Sequence, residues 1–289
     1  MTPLRQKMIE DMQLRGLSER TQVAYVTAVR QLAEHYGKSP DQLSDEELRQ
    51  YFLYLTNEKK ASRSGVTIAL CAFKFFYEQT LQQAWPTLSS VRPPKERKLP
   101  VILSREEVSQ ILGCVRKSPY RACLSTIYAC GLRLQEGLRL QVADIDSARM
   151  MIHVRQGKGR QDRYVPLPQR TLELLRQYWA SHRHPVWLFV ITGRGQRPPS
   201  SALQPLSKRG VQRAFQAALK DSGLPKPATV HTLKHSWATH LMEAGVNLRL
   251  IQTYLGHTSL RTTALYTHLT NKAEVLATEA INRLMDDLP

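Results

Sequence analysis

The chain has 289 residues, 42% of them apolar, and carries 41 Lys and Arg against 24 Asp and Glu, a formal charge of +17. This length predicts about two domains, and the charge predicts a polyanionic partner, because fixed cations concentrate phosphates and speed association with nucleic acid. No apolar run approaches the roughly 18 residues a membrane-spanning helix needs, and the opening MTPLRQKMIEDM lacks the apolar core of a secretory leader, so a cytoplasmic protein with no membrane partner is expected.

Residues 1–85 read as helical. The stretch 17–37 has Ser18 as its cap, Val23, Val26, Val29 and Leu32 near helical spacing, and Gly37 at its end. Ser44 precedes a second helical run, EELRQYFLYLTNEK, and Ser62 or Ser64 caps a third, VTIALCAFKFFYEQTL. The aromatics Phe73, Phe75, Phe76 and Tyr77 exceed one narrow face, so this third helix is expected to be well buried. The following SSVRPPKERKLPVILS opposes both helix and central strand, because of its paired prolines and clustered charge. It reads as an exposed basic linker over 89–103. Arg92, Lys95, Arg97 and Lys98 fit either a strap across phosphate backbones or an ordinary solvated connection.

A second domain is expected over 104–289. Ser104 and Glu107 form a capping box for EEVSQILGCV. PYRACLSTIYACG is an apolar helix closed by Gly131, and LRLQEGLRL starts a short one. MMIHV and DRYVPL read as two strands joined by a turn at Gly157–Gly159. Pro168 introduces RTLELLRQYWASH, 192–205 is a loop, and LSKRGVQRAFQAALKDSG is a helix with a basic face, on which Lys208, Arg209 and Arg213 are candidate DNA contacts. HTLKHSWATHLMEAG, NLRLIQTYLG, SLRTTALYTHL and KAEVLATEAINRLMDDL are further helical units. The four cysteines form no CxxC pair; Cys123 and Cys130 sit in apolar surroundings, so reduced thiols and no metal site are expected.

The chemistry concentrates in the last third. His231, Lys234 and His235 are spaced so that one helical face presents all three. His257 and Tyr266 follow, with Arg133 and Lys158 upstream. A tyrosyl oxygen can attack phosphorus and conserve the broken bond as a covalent ester. Fixed cations stabilise the added charge in the transition state, and a departing oxygen needs a proton donor. Read singly, each residue has an ordinary structural alternative: a packed tyrosine, a capping histidine, an Arg133–Glu136 pair, a basic turn at Lys158.

In order, these segments resemble the boxes of the tyrosine recombinase, or phage integrase, family, and the chain is similar over nearly its whole length to the compact Xer-like and mobile-element members. YACGLRLQEGLRLQVADID (128–146) resembles the first arginine box and carries it to Arg133; QGKGRQDRYVPL gives the hairpin lysine, Lys158; HTLKH gives His231, Lys234 and His235; LGH gives His257; TTALYTH gives the nucleophile, Tyr266. One position departs from the pattern: the second catalytic arginine is Lys234.

The resemblance implies a mainly α fold with a small β-sheet. It comprises an N-terminal helical core-binding (SAM-like) domain over 1–88 and a mixed α/β catalytic domain, which together form a C-shaped clamp on DNA. It implies that Arg133 and Lys234 hold the scissile phosphate, His231 assists proton transfer at the nucleophile, Lys158 protonates the leaving 5′ oxygen, His257 hydrogen-bonds the phosphate, and Glu136 and His235 support the site. It also implies strand exchange without ATP, metal or other cofactor, through a 3′-phosphotyrosyl link and a Holliday junction. The partner is double-stranded DNA with paired inverted core sites. The protein is expected to be a homo-tetramer on DNA and a monomer or weak dimer when free, in a bacterial, nucleoid-associated setting, with room for a second recombinase or an accessory factor. A C-terminal helix over 271–288 is expected to dock on a neighbouring protomer. The alternative is a catalytically weakened or silent DNA-binding or architectural protein, because lysine at 234 lacks the guanidinium fork.

Overall fold

The structure is a computed structural model; it describes residues 2–84, 100–155, 162–191, 205–257, 259–264, 266, 278 and 282. The chain forms two compact units, Met1–Arg97 and Lys98–Pro289.

The first unit holds α1 (Pro3–Leu14), α2 (Glu19–Tyr36), α3 (Asp45–Asn57) and α4 (Arg63–Phe75), the last running into a π-helical turn over Phe76–Thr80. The sequence signals act locally as expected. Ser18 Oγ accepts from the Thr21 amide, Ser44 and Glu47 cap α3 reciprocally, and Ser62 caps α4. Gly37 ends α2 at φ +61°, a conformation glycine adopts without steric cost. The core gathers Met8, Met12, Leu32, Leu48, Tyr51, Phe73 and Phe76. Two phenols fasten its periphery: Tyr77 donates to the Pro40 carbonyl (2.5 Å) and Tyr36 to that of Glu47 (2.7 Å). Val23 departs from the expected apolar stripe, being 62% exposed, while Ala28 takes a buried place on α2. The periodic set therefore begins a turn later than the sequence pattern suggested.

The second unit contains α5 (Arg105–Gly113), α6 (Ser118–Ala129), α7 (Leu134–Leu138), the strands β1 (Ile145–Asp146), β2 (Met151–Val154) and β3 (Arg163–Pro166), then α8 (Gln169–Ala180), α9 (Lys208–Asp221), α10 (Val230–Glu243), α11 (Leu248–Leu255) and α12 (Leu260–Thr263). The strands form one antiparallel sheet in the order β1-β2-β3, with Ile152 opposite Val165 and Val154 opposite Arg163. The two expected strands are β2 and β3; the two-residue β1 is too short to leave a periodic signal. α6 runs through the core, where Cys123, Leu124 and Ile127 are fully buried. Burial pushes both core thiols up, Cys130 to about 12, so they remain protonated and unreactive. Among the described residues the architecture is the expected one: helices with a single small sheet. The linker cations Arg92, Lys95, Arg97 and Lys98, the turn carrying Lys158, most of the 192–205 loop and nearly all of 271–288 lie outside the described residues. No helix among the described residues is long and apolar enough to cross a membrane.

Candidate active site

The site is built around α10. Its first turns carry His231, Lys234 and His235 on one face, as the i, i+3, i+4 spacing requires. Several contacts fix the rotation of this helix. Trp237 Nε1 donates to the Ala129 carbonyl (3.0 Å), Ser236 Oγ accepts from the Leu103 amide (2.9 Å), and His240 pairs Nδ1 with the Tyr128 hydroxyl and Nε2 with the Leu103 carbonyl (2.9 and 3.0 Å). Gly131 is indispensable here. It sits at φ +58°, and a Cβ on it would lie 2.4 Å from the Trp237 ring. α10 can therefore approach the end of α6 only because this residue has no side chain.

Arg133, His231, Lys234, His235, His257 and Tyr266, with Pro100 and Thr262, line one cavity of about 180 Å³. Six of the sequence-predicted residues thus come together from α10 and the segments before α7, after α11 and after α12. Glu136 stands behind them. Its carboxylate takes the Arg133 guanidinium (2.8 Å) and the Arg133 amide (2.7 Å), and it takes Arg163 through two parallel bonds of 3.0 and 2.8 Å. Both the Arg133–Glu136 pair, one of the structural alternatives, and a place for Arg133 in the cavity wall hold at once. Burial pushes the Glu136 carboxyl up, but the Arg163 hydrogen bonds and charge, aided by Lys234 and the Arg133 amide, outweigh it and hold the group at about 2.

Arg163 is the residue that the sequence reading missed. Its side chain is only 8% exposed. Besides gripping Glu136, it donates through Nε to the Tyr254 carbonyl (2.7 Å), and Arg133 reaches the Gly256 carbonyl (3.2 Å). The two arginines thereby tie Glu136 to the turn that presents His257. Gly256, at φ +61°, lets Arg163 lie against it: a Cβ there would be 3.1 Å from Arg163 Cδ. A signal was present in the sequence. Arg163 shares the strand face of buried Val165, and an arginine on an inward face calls for a buried carboxylate.

Lys234 is 1% exposed. Its ammonium donates to the Gly131 carbonyl (2.8 Å) and the Leu255 carbonyl (3.2 Å). Burial, then the Arg133 charge, push it well below the usual lysine range, with Glu136 opposing. Tyr266 is 2% exposed and packs with Ala238, Met242, Ile251 and Leu255. Its hydroxyl lies 2.8 Å from His235 Nδ1. Burial raises the phenol to about 12, while Arg133 pulls it down. His235 falls to about 4, through burial and then the neighbouring His231 and Lys234. His231 is also lowered, by burial and then by Lys234 and Arg133, and meets His235 edge-on at 4.5 Å. His257 Nδ1 pairs with Thr263 Oγ1 (3.0 Å). One wall is thus cationic and the other holds neutral imidazoles against a protonated phenol. Lys208, Arg209 and Arg213 are exposed on α9, outside this cavity. Among the described residues no cluster of His, Cys, Asp or Glu suits a metal ion.

Residues 102–273 match the phage integrase family, and residues 4–87 match the SAM-like N-terminal domain of phage integrases. The chain belongs to the tyrosine recombinase, or phage integrase, family. Membership of this family carries recombinase activity as its general class. A Sinorhizobium fredii protein described as an integrase/recombinase, y4qK, is 46% identical over 94% of this chain and 86% of its own. An Escherichia coli integrase/recombinase is 34% identical over 87% of this chain and 85% of its own. In fold, this tyrosine recombinase resembles the Tn1549 transposon integrase solved with transposon right-end DNA, with a TM-score of 0.73 at 18% identity over 98% of this chain and 100% of that one.

Proposed function

We propose that this recombinase cleaves and rejoins duplex DNA at specific sites by transferring a strand to Tyr266 through a 3′-phosphotyrosyl link, without ATP, and exchanges strands through a Holliday junction. The observation that carries the reading is the convergence of a phenol, three imidazoles, Arg133 and Lys234 on one small cavity. Arg133 has the fork to grip two phosphate oxygens, and Lys234 adds charge from below. His257 is held by Thr263 at the mouth of the turn and hydrogen-bonds the phosphate. Lys158 delivers the proton to the leaving 5′ oxygen. The resemblance gives proton transfer around the phenol to His231.

The partner is double-stranded DNA with paired inverted core sites, bound by four protomers. The α9 cations Lys208, Arg209 and Arg213 contact this DNA in its groove or at its phosphates, the basic linker over 89–103 either straps the phosphates or stays solvated, and residues 271–288 dock on the neighbouring protomer. The DNA-bound structures of the Tn1549 integrase fit this partner class.

A second reading is favoured by one observation. Both hydrogen bonds of the Lys234 ammonium go to backbone carbonyls, which suits a weakened or silent DNA-binding protein. Covalent capture separates the two. Wild type and Tyr266→Phe are incubated with fragmented host and mobile-element DNA, denatured, and the protein-linked junctions sequenced. Tyr266-dependent adducts at a recurring site support the recombinase; binding without adducts supports the silent reading.

A further inference from the structure

We infer that His235 is a catalytic residue, the group that takes the proton of Tyr266 during strand cleavage and returns it during joining. The inference rests on the recombinase reading above. It starts from geometry: His235 Nδ1 is 2.8 Å from the Tyr266 hydroxyl, a hydrogen bond already made before DNA arrives. A base must stand within hydrogen-bond reach of the proton it removes, and this ring occupies that place. His231, one turn earlier, meets the His235 ring with its edge, and among the described residues no hydrogen bond joins it to the phenol, so the proton transfer that the resemblance gives to His231 falls here to His235.

The environment keeps His235 in the form that accepts. Burial and the nearby His231 and Lys234 hold the imidazole neutral at ordinary pH. With the ring proton on Nε2, Nδ1 carries the lone pair directed at the phenol. The phenol in turn stays protonated, being buried, with the Arg133 charge only partly offsetting that burial. A weak base suffices because the phenolic proton becomes acidic as the O–P bond forms, and because the negative charge gathering on the phosphate stabilises an imidazolium beside it. α10 holds the ring in register through the contacts of Ser236, Trp237 and His240.

The step balances as follows. Tyr266 Oη bonds to phosphorus, its proton moves to His235 Nδ1, the P–O5′ bond breaks, and the 5′ oxygen leaves as a hydroxyl after taking a proton from the general acid. In joining, the 5′ hydroxyl gives its proton back to the general acid as it attacks phosphorus, the P–O bond to Tyr266 breaks, and the imidazolium returns its proton to the phenolate.

Two measurements test this. In the free full-length chain, 15N spectra of histidine are recorded for wild type and Tyr266→Phe. We expect a neutral His235 with its proton on Nε2, and an Nδ1 resonance that moves when the hydroxyl is deleted. A proton resident on Nδ1 overturns the proposal. The second uses a duplex carrying the site recovered by covalent capture, made with oxygen or sulfur as the leaving 5′ atom. His235→Asn keeps a hydrogen-bond acceptor near the Nδ1 position but cannot take the proton. It is expected to slow single-turnover cleavage by about 10²-fold or more on both duplexes, with noncovalent binding kept. Sulfur leaves without protonation, so rescue by sulfur would move His235 to the leaving group, and an unchanged rate on oxygen would remove it from the reaction; either overturns the proposal. Absence of any wild-type adduct instead overturns the recombinase reading itself.

Discussion

The two units use the same ionic chemistry in opposite settings. In the first unit the ion pairs are peripheral: Arg30–Glu34 has side chains 58% and 59% exposed, and Arg49–Glu46 has 57% and 64%. In the second, Glu136 and Arg163 are 7% and 8% exposed and are joined by two hydrogen bonds, with Arg133 and Lys234 beside them. Water screens the first kind of pair and leaves it nearly neutral in free energy. The second kind holds charges that water cannot reach, so removing one member leaves the others uncompensated. The first unit is therefore held by its aromatic core and its caps. The second places its functional groups through a charge network whose members depend on one another.

The largest effect expected from breaking this contrast is that of Glu136→Ala. It leaves Arg133 and Arg163 without their shared carboxylate and should destabilise the catalytic unit by about 3–5 kcal/mol. Urea denaturation checks this through tryptophan fluorescence, since three of the four tryptophans, Trp179, Trp187 and Trp237, lie in that unit, and the fourth, Trp85 in the first unit, is replaced by phenylalanine in both proteins. A loss under about 1 kcal/mol, the range of surface pairs, would erase the distinction between the units.

Lys234→Arg sharpens the comparison next. If lysine limits phosphate contact, restoring the guanidinium fork should raise single-turnover cleavage about tenfold, the effect of one additional charge-assisted hydrogen bond. No gain would mean that Lys234, already held by the carbonyls of Gly131 and Leu255, serves the site as it stands.

Much of this was legible in the sequence because its causes are local. Caps at Ser18, Ser44, Ser62 and Ser104, the glycine stops at Gly37 and Gly131, and the i, i+3, i+4 spacing of His231, Lys234 and His235 act within a turn or two of themselves. Arg163 was missed because its partner, Glu136, lies on a different element 27 positions earlier. The His235–Tyr266 bond spans 31 positions and depends on how α10 is clamped to α6 through Gly131, so spacing alone left His235 in a supporting place. β1 escaped notice because two residues have no period. Val23 was misplaced because an apolar stripe does not reveal where a helix leaves its neighbours.

Acid should separate the units further. Glu136 is held at about 2, against an ordinary 4.5, so its contribution is complete above the ordinary range and is lost as pH falls toward 2. His235 acts over a higher window. Its value drops from 6.5 to about 4 on folding, so between these pH values the unfolded chain binds the proton first, and stability falls as pH falls. Unfolding midpoints should therefore decline from near pH 6.5 downward, and His235→Asn should make the part above pH 4 shallower, the remainder coming from His182, His231 and His240, which burial also lowers. A decline that begins only below pH 4 in the wild type would show that His235 is accessible to water in the folded protein.

The smallest effect belongs to the surface of the first unit. Arg30 and Glu34 lie one turn apart on α2, at 3.6 Å, with both side chains more than half exposed. Arg30→Ala removes this pair but also gives α2 the strongest helix former. The lost attraction, roughly 0.3–0.5 kcal/mol, is offset by that propensity, so the stability of the first unit, followed by hydrogen exchange of the α2 amides, should scarcely move. Adding salt should leave wild type and variant alike for the same reason. A loss above about 1 kcal/mol would exceed any exposed pair of this kind. It would then have to come from the aliphatic stem of Arg30, which lines a groove with Met8, Val26 and Phe76. In that case the stem's packing, rather than its charge, would stabilise the first unit, and the contrast with the buried network of Glu136 would hold.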